Sequence, residues 1–180
     1  EKYNTDLCND LGNLVNRTIA MINKYQEGII KLSNTKTTYD VELNAYITNE
    51  INLYEKEMEN INIQNAISHI LNIVSRTNKY IDETSPWVLY KEEKYDELTS
   101  VMFNLYEAIR KAAILFVPFI PETSLNIFNQ LGLKENQTTF ESLTNSVDLE
   151  NNKVIEKGIP LFNRLDPSIE VDRLKDLMKN

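Results

Sequence analysis

The chain has 180 residues, of which 42% are hydrophobic and 26% charged, and its formal net charge is −8. This length suffices for one well-buried core, and the composition is typical of a globular protein, not of a disordered or membrane chain. The negative charge argues against broad binding to a nucleic-acid backbone, because that mode of binding needs many Lys and Arg side chains. Any nucleic-acid site must therefore be small and use stacking and base-edge hydrogen bonds.

The rare residue types exclude further classes of protein. Only 4 Gly and 5 Pro are present, and strands joined by tight turns usually need more of both, so we predict an all-α fold. The single cysteine, Cys8, excludes an intrachain disulfide, and with the single histidine, His69, it leaves too few ligands for a structural zinc site. No apolar run has the roughly 18 residues of a transmembrane helix. We therefore expect a cytoplasmic protein with no membrane partner and no metal site.

Residues 3–25 are predicted to form the first helix, with Asn4 or Thr5 as its cap. Its buried stripe follows the three-and-four spacing of a helix and consists of Leu7, Leu11, Leu14, Thr18, Met21, Ile22 and Tyr25. The opposite face is polar and mildly basic, and carries Asn9, Asn13, Asn16, Arg17, Ala20 and Lys24. Gly28 is a plausible stop for this helix.

Two further helices are predicted at residues 39–59 and 63–83. The second helix is expected to face the core with Val41, Ala45, Leu53 and Tyr54. The stripe of the third helix consists of Ala66, Ile67, Ile70, Leu71, Val74 and Tyr80. Pro86 disfavours a helical conformation at Ser85, so the third helix is predicted to end there and to leave Trp87 just beyond its end.

A fourth helix at residues 93–116 is apolar nearly all round, as expected for a central helix. Pro118 terminates it, Pro121 suits the first turn of a fifth helix through Leu131, and Gly132 closes that helix. Residues 138–167 are predicted to be irregular, and residues 166–179 to form an amphipathic C-terminal helix. We therefore predict a single domain over residues 1–180, a bundle of about five main helices with 138–180 as a less regular extension packed on it.

The sequence predicts no catalytic centre. It lacks a phosphate-binding glycine loop and a Cys/His cluster, and no nucleophile has a second histidine to serve as its base. The carboxylates of Glu55, Glu57 and Glu59 fit a solvated helix face better than an acid–base site. We interpret His69 as a structural histidine and Cys8 as a small core residue.

Asn13 and Arg17 are candidate binding residues, because their spacing of four places them on the same face of one helix. The amide of asparagine offers a donor beside an acceptor, and the guanidinium of arginine offers a rigid fork of donors. These groups are suited to reading the edges of bases. The alternative is a solvated helix face, or a clasp on the end of a neighbouring helix, and the spacing alone favours that alternative.

Trp87 is the second candidate, because a tryptophan fixed beside a proline at a helix end can present its ring to an unstacked base. The alternative is a core residue, since half-buried tryptophan is common at helix ends. Arg76 and Lys79 precede Trp87 in the sequence and can supply phosphate contacts to anything bound there.

Several stretches, in order along nearly the whole chain, carry a family resemblance. They are YNTDLCNDLGNLVNRT at 3–18, MINKY at 21–25, NKYIDET at 78–84 leading into Pro86 and Trp87, Arg110 leading to PFIPET at 118–123, QLG at 130–132 and PLF at 160–162. Together they resemble the anticodon-binding domain of methionyl-tRNA synthetases, which are class I aminoacyl-tRNA synthetases. A helical bundle with Asn-Leu-x-x-Arg on its first helix and Pro-Phe-x-Pro on its fourth is also similar to the synthetases for valine, isoleucine, leucine and cysteine.

The run from NKYI to Pro-Trp favours the methionine family. The resemblance implies that Asn13 and Arg17 recognise bases of the CAU anticodon and that Trp87 stacks with its first base, cytosine. It also brings the first helix and the Pro86-Trp87 turn to one end of the bundle. Supporting RNA contacts are expected from Asn9, Asn16, Lys24, Arg76, Lys79 and Pro86.

The nucleotide-binding fold of such enzymes, its signature motifs and any zinc knuckle are missing from this sequence. The resemblance therefore implies a fragment that selects the tRNA, whereas the parent enzyme uses ATP and Mg to attach methionine. We expect no cofactor in the fragment, and methionine tRNA and the catalytic domain of the same parent chain as its partners. Two alternatives remain: the corresponding domain of another class I synthetase, and a helical protein-interaction module with no role in RNA binding.

Overall fold

The computed structural model describes residues 3–145 and 147–162 of the chain. In this part every regular element is helical, which confirms the all-α prediction. The elements are a π-helical segment (Tyr3–Gly12), α1 (Asn13–Gln26), α2 (Thr38–Glu59), α3 (Ile63–Thr84), α4 (Pro86–Lys91), α5 (Tyr95–Phe116), α6 (Pro121–Leu131) and two 3-10 helices (Glu135–Gln137 and Phe140–Leu143). No helix among the described residues is both long and apolar enough to cross a membrane.

The predicted first helix is divided into the π-helical segment and α1. α1 ends where the backbone becomes left-handed at Glu27 (φ 57°) and Gly28 (φ 79°). A Cβ at Gly28 would lie 2.8 Å from Asn23 Oδ1, so glycine fits this predicted stop without strain. The inner face of α1 buries Leu14, Val15, Thr18, Ile19, Ile22 and Gln26, and the opposite face stays open to solvent.

α2 begins at a capping box. The hydroxyl of Thr37 accepts a hydrogen bond from the backbone N–H of Asp40, and the Asp40 carboxylate accepts one from the N–H of Thr37. α2 then packs along α3, to which a short turn joins it. Both helices begin and end within two residues of the predicted bounds.

The core-facing side of α2 differs from the prediction. Val41 is 57% exposed and Ala45 also lies at the surface, so the prediction that they face the core is wrong. The buried side carries Asp40, Leu43, Ile47, Glu50, Ile51 and Tyr54. Asp40 is buried because Tyr80 and Ser100 donate hydrogen bonds to its carboxylate. A hydropathy pattern does not predict that an acidic residue such as Asp40 is buried. The hydrogen-bond donors that offset the cost of burying its carboxylate come from other helices.

The helix α4 was not predicted as a separate element. Ser85 takes a left-handed conformation (φ 44°) and ends α3 as predicted. Pro86 then starts a new helix, because its fixed φ suits a first helical turn and its missing N–H is not needed there. Trp87 therefore lies on a helix and not in a loop.

α5 is the central helix, as predicted. It is buried on almost every side and packs against each of the other five α-helices. Even Arg110, in the middle of α5, is fully buried. α6 ends as predicted at Gly132, whose φ is 66°.

The residues after α6, which we call the C-terminal segment (133–145 and 147–162), lie along the bundle with little regular structure. Their backbone is held at Ile29, which pairs with Lys153 in an isolated antiparallel bridge. The Gln130 side chain donates to the carbonyl of Ile159 and accepts from its N–H, both at 2.9 Å. This agrees with the predicted irregular region, apart from the 3-10 helix Phe140–Leu143. The predicted helix at residues 166–179 lies outside the described residues.

Candidate nucleic-acid interface

The outer face of α1 presents four of the residues that the sequence places opposite the core. Asn13, Arg17, Ala20 and Lys24 are all exposed, and their spacing of four, three and four aligns them along one side of the helix. Lys24 makes no ion pair within the described residues. The face therefore offers an amide, a guanidinium and an ammonium group in a row.

The second contribution comes from α4, which lies at the opposite end of α3 from the α2–α3 turn. Pro86 is buried and anchors the start of α4, whereas the Trp87 side chain is 48% exposed. A half-exposed tryptophan on a short helix with an anchored start is a fixed, accessible ring. Of the two readings of Trp87, a core residue and a presented ring, the observed exposure fits the second.

α1 and α4 together form a shallow cleft of about 270 Å³, which we call the Arg17–Trp87 cleft. Its walls consist of Arg17, Ala20, Met21, Lys24, Tyr25 and Trp87. Two cations and two aromatic rings thus line one open depression on a chain of net charge −8. Such a combination provides stacking surfaces beside donors for phosphate or base edges. Asn13 lies one helical turn before Arg17 on the same face.

One carboxylate lies close to this cleft. Asp82 Oδ1 is 3.8 Å from Arg17 Nη2, and the two side chains are 72% and 46% exposed. An ion pair this exposed contributes only about 0–1 kcal/mol, because water and salt screen both groups. The Arg17 guanidinium therefore remains available to a ligand that offers better-aligned acceptors.

Two of the predicted supporting residues on the first helix differ in their surroundings. Asn9 is exposed on the π-helical segment. Asn16 is only partly exposed, and its Oδ1 is buried without a hydrogen-bond partner. A Cβ at Gly158 would lie 2.4 Å from that oxygen, so the C-terminal segment covers Asn16 at close range. Asn16 therefore lies at the border between the exposed face of α1 and the C-terminal segment.

The predicted phosphate contacts on α3 lie beside acidic residues. Arg76 is only 14% exposed and donates to Glu83 Oε2 at 2.8 Å, with Glu42 Oε2 at 3.9 Å. Lys79 is 70% exposed and its Nζ lies 3.4 Å from Glu83 Oε1. The structure does not place either cation among the residues that line the Arg17–Trp87 cleft. Their role in RNA binding stays a prediction.

Two tyrosines at this interface, Tyr25 and Tyr90, were not predicted as site residues. Tyr25 packs against the core as predicted, but it also lines the cleft, and its ring centroid lies 4.9 Å from that of Tyr90 on α4. Tyr90 follows Trp87 by three residues, so the two rings project from the same side of α4. A sequence signal existed in this spacing, but it becomes visible only when residues 86–91 are recognised as a helix.

The remaining titratable clusters have structural partners. His69 Nδ1 lies 2.8 Å from the buried Glu50, which also accepts a hydrogen bond from Asn72. Hydrogen bonds from Asn62 and Asn65 lower the pKa of Glu57. In the described part of the chain, no group of three or more His, Cys, Asp and Glu side chains is arranged to hold a metal ion.

Burial raises the pKa of Tyr80 well above its ordinary value, and its hydrogen bond to Asp40 raises it further. The tyrosine therefore stays protonated and ties α3 to the capped start of α2. This buried pair is a connection between helices and lies apart from the residues that line the Arg17–Trp87 cleft.

Comparison with known proteins gives a consistent assignment. A family model described as the anticodon binding domain of methionyl tRNA ligase matches residues 32–167. The methionine–tRNA ligase of Bacillus subtilis (strain 168) is 44% identical over 182 residues, which cover 99% of this chain and 27% of that relative. The methionine–tRNA ligase of Enterococcus faecalis (strain ATCC 700802 / V583) is 46% identical over 179 residues, which cover 98% of this chain and 27% of that relative. The chain thus spans about a quarter of the length of these relatives.

Solved structures agree with the sequence comparison. The free-state methionyl-tRNA synthetase of Mycobacterium tuberculosis matches 92% of this chain with a TM-score of 0.83 and 27% identity, over 34% of its own length. The same enzyme bound by methionyl-adenylate matches 90% of this chain with a TM-score of 0.82 and 26% identity, over 32% of its length. On this agreement of family model, relatives and fold, the chain belongs to the family of anticodon-binding domains of methionyl-tRNA ligases.

Proposed function

We propose that this chain recognises the CAU anticodon of methionine tRNA on behalf of a parent methionine–tRNA ligase. The observation that carries the proposal is the Arg17–Trp87 cleft, where a guanidinium from α1 and an indole from α4 line one surface although they are far apart in the sequence. Hydrogen-bond donors beside an accessible aromatic ring are the features that single-stranded RNA loops require of a protein.

Four residues in or beside the cleft have distinct roles in this proposal. The Trp87 ring stacks with the first anticodon base, cytosine, a contact that contributes roughly 1–3 kcal/mol. Arg17 and Asn13 hydrogen-bond the edges of bases, and Lys24 contacts a phosphate. Because these contacts depend little on net charge, they are compatible with a chain of net charge −8.

The proposal extends to the parent reaction, which the same family membership supports. The parent ligase activates methionine with ATP and Mg and transfers it to the tRNA, and this chain needs no cofactor to select which tRNA is charged. Its partners are the anticodon loop of methionine tRNA and the catalytic domain of the same parent chain. Anticodon recognition and amino-acid activation are thus separate tasks of separate parts of the parent.

The proposal predicts that substitution of Trp87 separates the two tasks. In the full-length ligase, Trp87→Ala should lower kcat/KM for tRNA charging by about 5- to 150-fold, which corresponds to loss of one stacking contact. ATP-dependent activation of methionine, measured by pyrophosphate exchange, should stay within about twofold of the wild type, because no tRNA takes part in that step. A matched control is Val88→Ala, which changes an exposed neighbour on α4 that does not line the cleft.

Equal losses of charging and activation would contradict the proposal. A binding assay with anticodon stem-loops separates it from its two alternatives. Preference for a valine, isoleucine, leucine or cysteine anticodon over CAU would assign the chain to another class I synthetase. Failure to bind any stem-loop at low salt would instead favour a protein-interaction module.

A further inference from the structure

Three tyrosines adjoin the Arg17–Trp87 cleft and form a continuous group, which we call the tyrosine platform (Tyr25, Tyr90 and Tyr95). The ring centroids of Tyr25 and Tyr90 are 4.9 Å apart with an interplanar angle of 32°. The Tyr90 and Tyr95 rings meet edge to face at 6.1 Å. Tyr90 sits in the middle of the group, and its orientation is therefore fixed by aromatic contacts on two sides.

The platform is directly continuous with the cleft. Tyr25 is a member of both, because it lines the cleft and supports the Tyr90 ring. Tyr90 and Trp87 lie three residues apart on α4, and side chains at this spacing are neighbours, about 5–6 Å apart at Cβ. One short stretch of single-stranded RNA can therefore reach both rings.

The platform tyrosines differ from the tyrosines of the core. The hydroxyl groups of Tyr54 and Tyr106 donate to backbone carbonyls inside the bundle. Among the hydrogen bonds of the described residues, none involves the hydroxyls of the platform, and Tyr90 and Tyr95 are 45% and 53% exposed. Tyr25 is partly buried and packs against the core, whereas Tyr90 and Tyr95 present exposed rings whose hydroxyls can hydrogen-bond a ligand.

The charges beside the platform are of both signs and include two lysines that can contact RNA phosphates. Lys24 and Lys91 are exposed and make no ion pair within the described residues. Lys24 Nζ lies 5.3 Å from the Tyr25 ring centroid. Lys94 is the exception, because Glu92 holds its ammonium group at 2.9 Å. The carboxylates of Glu27, Glu93 and Asp96 near the platform are also exposed and make no ion pair within the described residues. The two lysines can contact the phosphates of an RNA whose bases turn toward the rings.

We propose that Tyr90, supported by Tyr25, is a second stacking site that receives another unpaired base of the anticodon loop, next to the base that Trp87 receives. This inference rests on the proposed function and adds to it a residue that reads or holds a further nucleotide. The occupant is RNA and not a protein surface, because Tyr25 belongs both to the platform and to the cleft in which the proposed function places the anticodon.

The test pairs protein variants with loop variants. The full chain is titrated, by anisotropy of a labelled stem-loop, with the CAU loop and with a series in which one loop base at a time is removed to leave an abasic site. Tyr90→Ala should weaken binding of the intact loop about 5- to 100-fold. With one abasic loop, Tyr90→Ala should cause no further loss of affinity, because the base that Tyr90 holds is already absent from that loop. A different abasic loop should show no further loss of affinity with Trp87→Ala, because the two rings hold different bases.

Two further variants serve as controls. Tyr90→Phe keeps the ring and should bind within about threefold of the wild type if stacking is the contact. Tyr39→Ala removes an equally exposed tyrosine (44%) that has no ring contact with the platform, and should leave every loop unaffected. Circular dichroism of each variant checks that the helices remain intact.

The outcomes separate this inference from the proposed function. If the wild type binds CAU and Trp87→Ala loses binding while Tyr90→Ala matches the wild type, the second stacking site is overturned and the proposed function stands. If Tyr90→Ala loses the same factor on every abasic loop, no single base contacts it and the inference is again overturned. If the wild type does not bind the CAU loop, the proposed function fails first and the inference with it.

Discussion

The helical bundle and the C-terminal segment are held by different kinds of contact. The helices meet through aliphatic side chains such as Ile109 and Leu105, which are fully buried on α5. The C-terminal segment also buries Leu143, Leu149 and Val154 in the core, but buried polar side chains in addition hold its irregular backbone. The buried Arg110 donates to the carbonyl of Gln137 at 2.7 Å and to the hydroxyl and carbonyl of Ser142 at 2.8 and 3.0 Å.

The two regions differ because their backbone N–H and C=O groups find hydrogen-bond partners in different places. A helix pairs its own N–H and C=O groups, so its side chains are free to be apolar. An irregular segment that packs against a core leaves those groups unpaired unless side chains reach them. Gln137 illustrates this, because its amide accepts from the N–H of Lys134 and from Asn152 and also donates to the carbonyl of Asp148.

Arg110→Met is expected to cause the largest loss of stability, and to affect the C-terminal segment more than the helices. The substitution keeps a long side chain but leaves Glu107 and the acceptors on the C-terminal segment without their donor. Removing one partner of a buried ion pair destabilises by about 3–5 kcal/mol, measured as the free energy of unfolding in urea. Hydrogen exchange should be fastest at the amides of the C-terminal segment and slower in α3 and α5.

Lys111→Met is the matched control for that experiment. Lys111 Nζ lies 3.5 Å from the same Glu107, but its side chain keeps some contact with water. This variant should lower the free energy of unfolding by clearly less than Arg110→Met does, because among the described residues Lys111 makes no hydrogen bond to the C-terminal segment. Equal losses in the two variants would mean that Arg110 does not hold the C-terminal segment.

A somewhat smaller and differently distributed effect is expected from Ile109→Ala. This neighbour of Arg110 is fully buried and belongs to the hydrophobic core, so its truncation leaves a cavity between helices. The free energy of unfolding should fall by about 2–4 kcal/mol. Hydrogen exchange should accelerate throughout the bundle, with no selective opening of the C-terminal segment. If hydrogen exchange accelerated only in the C-terminal segment, the proposed difference between the two regions would be wrong.

The smallest effect is expected at Tyr106, which joins the two regions. Its hydroxyl donates to the carbonyl of Leu131 and accepts from the Asn152 amide, both at 2.9 Å. Tyr106→Phe should cost about 1 kcal/mol at neutral pH, because both partners lose a hydrogen bond. Burial raises the pKa of Tyr106 to about 12, whereas an unfolded tyrosine titrates near 10.

The pH dependence of stability gives a second measurement on the same variant. Because the folded pKa is raised, the contribution of Tyr106 is fully present below pH 10 and is lost as the pH rises through about 12. Urea unfolding at pH 9 and pH 11 should therefore show a larger loss of stability for the wild type than for Tyr106→Phe. Parallel losses in the two proteins would show that another group titrates in this range.

Much of the fold was predictable because it depends on local rules. Proline and glycine at residues 121 and 132 place α6 within its observed bounds, and the apolar character of α5 identifies the central helix. The face of α2 was not predictable in this way, since Asp40 is buried only through donors on other helices. α4 was also missed, because six residues are too few for a periodic pattern.

The candidate site also has features that the sequence predicts and features that only the structure shows. The alignment of Asn13 and Arg17 follows from helical spacing and needs no tertiary information. Spacing alone cannot show that Trp87 and Arg17 line one cleft, or that Tyr25, besides packing against the core, lines it too. The resemblance to a family supplied that expectation for Trp87 and Arg17, but it did not point to Tyr25 or Tyr90.

By itself the sequence determined the five long helices, their order and the polar face of α1, because propensities, caps and periodicity act within one element. Only the tertiary structure decided which faces meet and which side chains end side by side. The Arg17–Trp87 cleft depends on the left-handed turn at Ser85, which sets the direction of α4. The physical reason is that contacts between elements depend on packing against partners distant in sequence, which no local pattern contains.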